Sequence, residues 1–72
     1  MGATFYTDRP GLAHLRLAKG LSQKQLAALA HTSQSYISRL EHGAVNPKRT
    51  TLNKIATVLG VSIQELAEVL PS

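Results

Sequence analysis

The chain contains no cysteine and no tryptophan, and only 4% of its 72 residues are aromatic. Without cysteine, a disulfide framework and a cysteine-ligated metal site are both excluded. No apolar run approaches the roughly 20 residues that a transmembrane helix requires, so no membrane partner is expected. The start of the chain lacks the basic and long apolar segments of a secretory signal. These absences predict a cytoplasmic protein, and its length of 72 residues allows at most one small domain.

Acidic residues are also scarce, and the charge is unevenly distributed along the chain. All eight Lys and Arg residues lie within residues 1–54, and the acidic residues of that segment are Asp8 and Glu41. The rest of the chain carries Glu65 and Glu68 and no basic residue. A chain polarised in this way can turn a basic face toward a polyanion, although charge that merely keeps the surface soluble would give the same distribution.

Capping residues and apolar spacing predict five short helices and no strand, and therefore an all-α fold. The first helix is expected to be capped by Asp8, to carry Pro10 in its first turn and to end at Gly20. A capping box of Ser22 and Gln25 begins the second helix, which continues to about residue 30. The other expected boundaries are Ser33 and Gly43 for the third helix, Thr50 or Thr51 and Gly60 for the fourth, and a capping box of Ser62 and Glu65 for the fifth.

Apolar residues at helical spacing predict the buried face of each helix. These residues are Leu12, Leu15, Leu26, Leu29, Ile37, Leu40, Leu52, Ile55, Ala56, Leu59, Ile63, Leu66 and Leu70.

The segment from 30 to 33 interrupts an otherwise continuous amphipathic pattern. Two short helices joined by about four residues must cross steeply, and the small Ala27 permits their close approach. This arrangement is a helix-turn-helix unit, whose second helix projects its first turn outward. Glutamine and arginine are the side chains suited to bidentate hydrogen bonds with adenine and guanine edges in the major groove. The exposed positions expected on the second helix are Gln34, Ser35, Ser38 and Arg39.

Three segments, RLAKGLSQKQLA, TSQSYISRLEHGAVNP and TLNKIATVLGVS, together resemble the lambda-repressor-like, Cro-type helix-turn-helix family. The resemblance covers residues 9–70, so residues 1–8 are expected to form an N-terminal tail. It implies a compact five-helix DNA-binding domain, usually dimeric, of bacterial or phage origin. One departure is His31, which stands where the family's turn usually has glycine. Histidine tolerates a left-handed backbone at a cost of about 1 kcal/mol.

The resemblance also implies roles for individual residues. Gln34, Ser35 and Arg39 match positions that read bases, while Arg16 and Glu41 match an ion pair between the first helix and the end of the third. Each of them also has a simpler interpretation as a solvated surface residue. Phosphate contacts are expected from Gln23, Lys24, Ser33, Tyr36, Ser38, Lys48 and Arg49.

The sequence therefore predicts a sequence-specific DNA-binding transcriptional regulator, a repressor or autoregulator that binds a palindromic operator as a homodimer. The dimer contacts are expected around residues 44–47 and 61–70, with Val61 and Val69 facing outward. The alternative is an antitoxin-type module that masks a toxin or another protein partner and also represses its own operon. Basic residues around the third helix favour the regulator. Because the histidines lack metal-ligand spacing and the serines lack a His–Asp setting, no metal, no cofactor and no enzymatic activity are expected.

Overall fold

The computed structural model describes residues 11–70, and the expected N-terminal tail, Asp8 and Pro10 lie outside this range. Within it the chain forms five α-helices and no strand, which confirms the predicted all-α class. The helices are α1 (Leu12–Ala18), α2 (Gln23–Leu29), α3 (Gln34–Glu41), α4 (Arg49–Leu59) and α5 (Ile63–Val69).

Serine hydroxyls cap three of the five helices, as predicted from the sequence. Ser22 and Ser62 each begin a capping box, in which the serine accepts from a backbone N–H at the third helical residue and that residue's side chain accepts from the serine N–H. Ser33 accepts from the Tyr36 N–H at 3.1 Å. These bonds satisfy N–H groups that have no partner within the helix, and they fix where α2, α3 and α5 begin.

Two helices begin without such a cap, and their starts differ from the predicted ones. The first residue of α1 is Leu12, which follows Gly11, and Gly11 offers no side-chain acceptor. The fourth helix begins at Arg49 after an extended Lys48, so Thr50 and Thr51 lie inside its first turn rather than ahead of it. Because Arg49 and Thr50 are exposed, water can satisfy the free N–H groups there and no hydroxyl cap is needed.

All five helices contribute to one hydrophobic core. Its central side chains are 0% exposed, namely Leu26, Ile37, Ile55 and Leu66. Leu12, Leu40 and Leu59 are also buried, whereas Leu15, Leu52, Ile63 and Leu70 are only half-buried and pack against the core edge.

Three apolar residues do not lie where the sequence pattern placed them. Leu29 has helical spacing with Leu26 but is 54% exposed. The buried side of α2 is formed by Leu26, Ala27 and Ala30. Leu29 lies about 100° around the helix from the centre of that side. Val61 and Val69, which were expected to face outward, are half-buried and pack against the core. The surface around α5 therefore has less free apolar area than the sequence suggested.

The arrangement of the helices positions the site. The second and third helices pack against each other, as do α4 and α5, and α1 lies against α3. None of the helices between residues 11 and 70 combines the length and apolar character needed to cross a bilayer.

Candidate nucleic-acid interface

The turn between α2 and α3 sets the direction of α3. His31 adopts a left-handed backbone, with φ of 58°, and is the one residue other than glycine with positive φ among residues 11–70. The Thr32 N–H then donates to the Ala27 carbonyl at 2.8 Å, which closes the end of α2 in the manner of a Schellman motif. The helix-turn-helix unit is therefore formed with histidine at the position where the resemblance implies glycine.

Two buried residues on one side of α3 orient the helix so that its opposite side faces solvent. Ile37 and Leu40 are 0% and 1% exposed and hold the helix on the core. Gln34, Ser35 and Arg39 lie on the outer side and are exposed. The 3.6-residue period of the helix, together with these two anchors, dictates which side chains are presented.

The exposed side of α3 and the start of α2 together line a cavity of about 540 Å³ that is open to solvent. The side chains that line it are Gln23, Gln34, Ser35, Ser38 and Arg39. The structure thus brings together all three residues expected to read bases and two of those expected to contact phosphate.

The side chains that line this cavity are all polar, so they can bind a ligand through hydrogen bonds. Two amides and two hydroxyls offer both donors and acceptors, and the guanidinium of Arg39 offers donors alone. The Arg39 Nε lies 3.5 Å from the Ser35 carbonyl, a long contact that leaves the guanidinium able to bond elsewhere. Such a surface suits a polar ligand that presents acceptors and donors at fixed spacing.

The expected contact between Arg16 and Glu41 is present and largely buried. Arg16 Nε donates to Glu41 Oε2 at 2.7 Å, and the side chains are 10% and 8% exposed. A second guanidinium nitrogen donates to the Leu21 carbonyl at 2.9 Å, so Arg16 connects α1, the following loop and α3. Charge-assisted bonds of this length are among the stronger ones in proteins.

Gln23 makes a contact that the sequence analysis missed. Its Nε2 donates to Glu41 Oε1 at 2.9 Å, so the same carboxylate holds both Arg16 and Gln23. The sequence pattern paired Glu41 with arginine alone, and the eighteen-residue separation between Gln23 and Glu41 carries no local signal. Only the packing of α2 on α3 reveals the contact.

The other expected phosphate-binding residues fall into two groups. Lys24, Lys48 and Arg49 are exposed at the start of α2 and the start of α4, outside the cavity lining. Ser33 caps α3, while Tyr36 is half-buried and packs against the core, so these two have structural contacts besides any external one. In the part of the chain that the structure describes, His, Cys, Asp and Glu form no group of three or more suited to a metal ion.

Comparison with known proteins identifies the family to which this arrangement belongs. A family model described as helix-turn-helix matches residues 12–66, which include all or most of each of the five helices. An uncharacterized HTH-type transcriptional regulator of Sinorhizobium fredii is 48% identical over 54 residues, which are 75% of this chain and 70% of that protein. The HTH-type transcriptional regulator DdrOP3 of Deinococcus deserti is 39% identical over 57 residues, or 79% of this chain and 44% of that one.

Two further similarities concern partners. A Mycobacterium tuberculosis protein that bears the name antitoxin HigA2 is 44% identical over 50 residues, which are 68% of this chain and 50% of that protein. The crystal structure of Bacillus thuringiensis PlcR in complex with the peptide PapR7 and DNA superposes with a TM-score of 0.73 at 39% identity. The match covers 85% of this chain but 21% of the PlcR chain, so the similarity concerns one domain of that protein.

Proposed function

Since the chain belongs to the lambda-repressor-like helix-turn-helix family, we propose that it is a DNA-binding transcriptional regulator that reads bases with Gln34, Ser35 and Arg39. The observation that carries the proposal is the cavity on the outer side of α3, whose lining places these three side chains together. A solvent-facing helix anchored from below by Ile37 and Leu40 has the form of a recognition helix in the major groove.

Each base-reading residue has a chemistry that fits an edge of a base pair. The amide of Gln34 matches the adenine N6 and N7 pair, and the Arg39 guanidinium matches the guanine O6 and N7 pair. Ser35 is short and adaptable, and its hydroxyl donates to or accepts from a base. These three side chains determine which base pairs are preferred.

Phosphates flanking the recognised bases are held by the basic and polar rim. We assign this role to Lys24 on α2 and to Lys48 and Arg49 at the start of α4, all of which are exposed. Their contribution is independent of sequence and falls with rising salt, because each contact releases counterions from the duplex. The assigned phosphate contacts are completed by Gln23, Ser33, Tyr36 and Ser38.

The proposed regulator acts as a homodimer on an inverted repeat. A single α3 reaches few base pairs, and a two-fold pair places two such helices about 34 Å apart in successive major grooves. Residues 44–47 and 61–70 form the proposed contact. Because Val61 and Val69 contribute to the core of their own domain, this contact is small and forms fully only on DNA.

A protein-masking role of the antitoxin type is the second candidate, and the similarity to HigA2 favours it. Leu17 and Leu29 are exposed by 65% and 54%, but two single leucines on different helices do not make an apolar patch, so the sequence similarity alone supports this role. The two functions are compatible within one chain. They differ in which residues a partner covers, since a masked toxin would not need the base-reading cavity.

Selection of bound sequences from random duplex DNA tests the proposal, with stoichiometry measured on the preferred duplex. We expect an inverted repeat, two chains per duplex and an affinity that falls steeply with salt. One chain per duplex without an inverted repeat would contradict the dimer but not DNA binding. The absence of any enriched sequence would contradict base reading and leave the protein-masking function as the better candidate.

A further inference from the structure

The Glu41 carboxylate lies at the junction of three helices and bonds to two of them. Its Oε2 accepts from Arg16 Nε of α1 at 2.7 Å. Its Oε1 accepts from Gln23 Nε2 of α2 at 2.9 Å and, in a longer contact, from Arg16 Nη2 at 3.5 Å. Arg16 lies inside the domain, whereas Gln23 lines the cavity on α3. Glu41 therefore connects the buried ion pair to the surface proposed to contact DNA.

An ionised carboxylate determines which end of a neighbouring amide faces it. Both oxygens of Glu41 only accept hydrogen bonds, so the Gln23 atom beside them must be the nitrogen. That nitrogen carries a second hydrogen, which the contact with Glu41 does not use. An amide without this neighbour can rotate and present its oxygen instead, which a phosphate would repel.

We propose that Glu41 is a positioning residue for DNA binding, which fixes the Gln23 amide so that a donor and not an acceptor is offered to the duplex backbone. The inference rests on the proposed function of the cavity. It assigns Glu41 a second task beyond the ion pair with Arg16, although Glu41 itself need not touch DNA. Its negative charge is offset locally by the guanidinium of Arg16, so the carboxylate can remain close to a phosphate-binding residue.

A measurement on the wild-type protein tests the amide orientation directly. In NMR spectra the two Nε2 hydrogens of Gln23 should exchange at different rates with solvent, one of them protected by Glu41. Equal, fast exchange of both hydrogens would overturn the inference.

A double-mutant cycle on the preferred duplex tests the consequence for binding. Gln23→Ala should weaken wild-type binding about tenfold, the scale of one hydrogen bond to a charged group. On a Glu41→Gln background the same change should cost clearly less, because the new amide at 41 both donates and accepts and no longer fixes Gln23. Arg16→Lys is the matched control: it disturbs the ion pair but keeps Glu41 as acceptor, so Gln23→Ala should cost about tenfold there as well.

The readout separates a positioning role from a structural one. Affinities are corrected for the folded fraction and measured in a stabilising osmolyte, because Glu41→Gln also breaks the ion pair. A cost for Gln23→Ala that is equal in all backgrounds would overturn the inference, as Glu41 would then matter only for folding. If the wild-type chain binds no duplex while one Gln23 hydrogen is protected, the proposed function fails and the Glu41–Gln23 contact stands.

Discussion

Among residues 11–70 the same turn joins three pairs of helices, α1–α2, α2–α3 and α4–α5, and of these the hairpins α2–α3 and α4–α5 carry different surfaces. In each turn a left-handed residue is followed by a half-buried residue and a capping serine, as His31-Thr32-Ser33 in the first hairpin and Gly60-Val61-Ser62 in the second. In both, the residue after the left-handed one donates to a carbonyl in the preceding helix, at 2.8 Å and 3.0 Å.

The hairpins diverge after the capping serine. Ile37 and Leu66 lie four residues beyond their serines and are both 0% exposed, so both second helices are anchored alike. Position 39 in α3 is Arg, whereas the equivalent position 68 in α5 is Glu. The turn and its anchor thus form a general supersecondary unit, and the identity of a few exposed side chains decides which copy is suited to DNA.

The ion pair supplies the largest difference between the two hairpins. Glu41 at the end of α3 pairs with Arg16, while the equivalent residue at the end of α5 is the half-buried Leu70. Glu41→Gln should lower the free energy of unfolding by about 3–5 kcal/mol, because it leaves the Arg16 charge buried without its counter-charge. Urea unfolding followed by circular dichroism measures the loss.

Glu68→Gln is the control for this change, since Glu68 is exposed on α5 and its neutralisation should alter stability by less than about 0.5 kcal/mol. A loss of similar size for Glu41→Gln would place the pair among surface ion pairs and refute its role as the tie between α1 and α3.

The second difference between the hairpins is that α3 is proposed to read bases and α5 is not. Arg39→Ala should weaken binding to the preferred duplex by about 1–3 kcal/mol and relax the preference at one base pair. Glu68→Ala, at the equivalent position of α5, should leave the preference at every base pair unchanged, because α5 is assigned to the dimer contact and not to the bases. Fluorescence anisotropy gives the affinities, and repeated selection gives the preference. An unchanged preference for the Arg39→Ala variant would show that Arg39 does not read a base.

The left-handed residue of the α4–α5 turn, Gly60, provides a third test. Gly60→Ala should cost about 1–2 kcal/mol of stability, since a Cβ disfavours φ of 72°. Crowding adds little, because the nearest atom to the added Cβ would be Lys19 Nζ at 3.4 Å. Gly60→Asn should cost less than Gly60→Ala, because asparagine visits this conformation more readily. Equal costs for both variants would point to contact between the added side chain and Lys19 instead of backbone strain.

The sequence predicted the hairpins well because their signals are local. Ser33 and the Ser22–Gln25 box act within three residues of themselves, and Gly60 acts on its own backbone. Contacts between helices were accessible only through the family resemblance, as for Arg16 with Glu41.

Features that depend on three-dimensional position were not predictable in this way. The Gln23–Glu41 bond arises from the packing of α2 against α3 and has no sequence pattern. The exposure of Leu29 and the partial burial of Val69 depend on which side of each helix meets the core, and helical spacing from one buried residue does not determine that side. The assignment of individual bases and phosphates to side chains stays a prediction.

The smallest expected effect concerns the left-handed residue of the α2–α3 turn, which is His31 where the α4–α5 turn has Gly60. His31→Gly should raise the free energy of unfolding by less than about 1 kcal/mol, because relief of backbone strain is offset by the greater freedom of glycine in the unfolded chain. His31→Ala separates backbone from side chain, since alanine keeps the strain at φ of 58° and removes only the exposed imidazole. Thermal unfolding of both variants decides between the two causes. If alanine stabilises the protein as much as glycine does, the imidazole and not the backbone carries the cost, and the two turns are energetically equivalent despite their different residues.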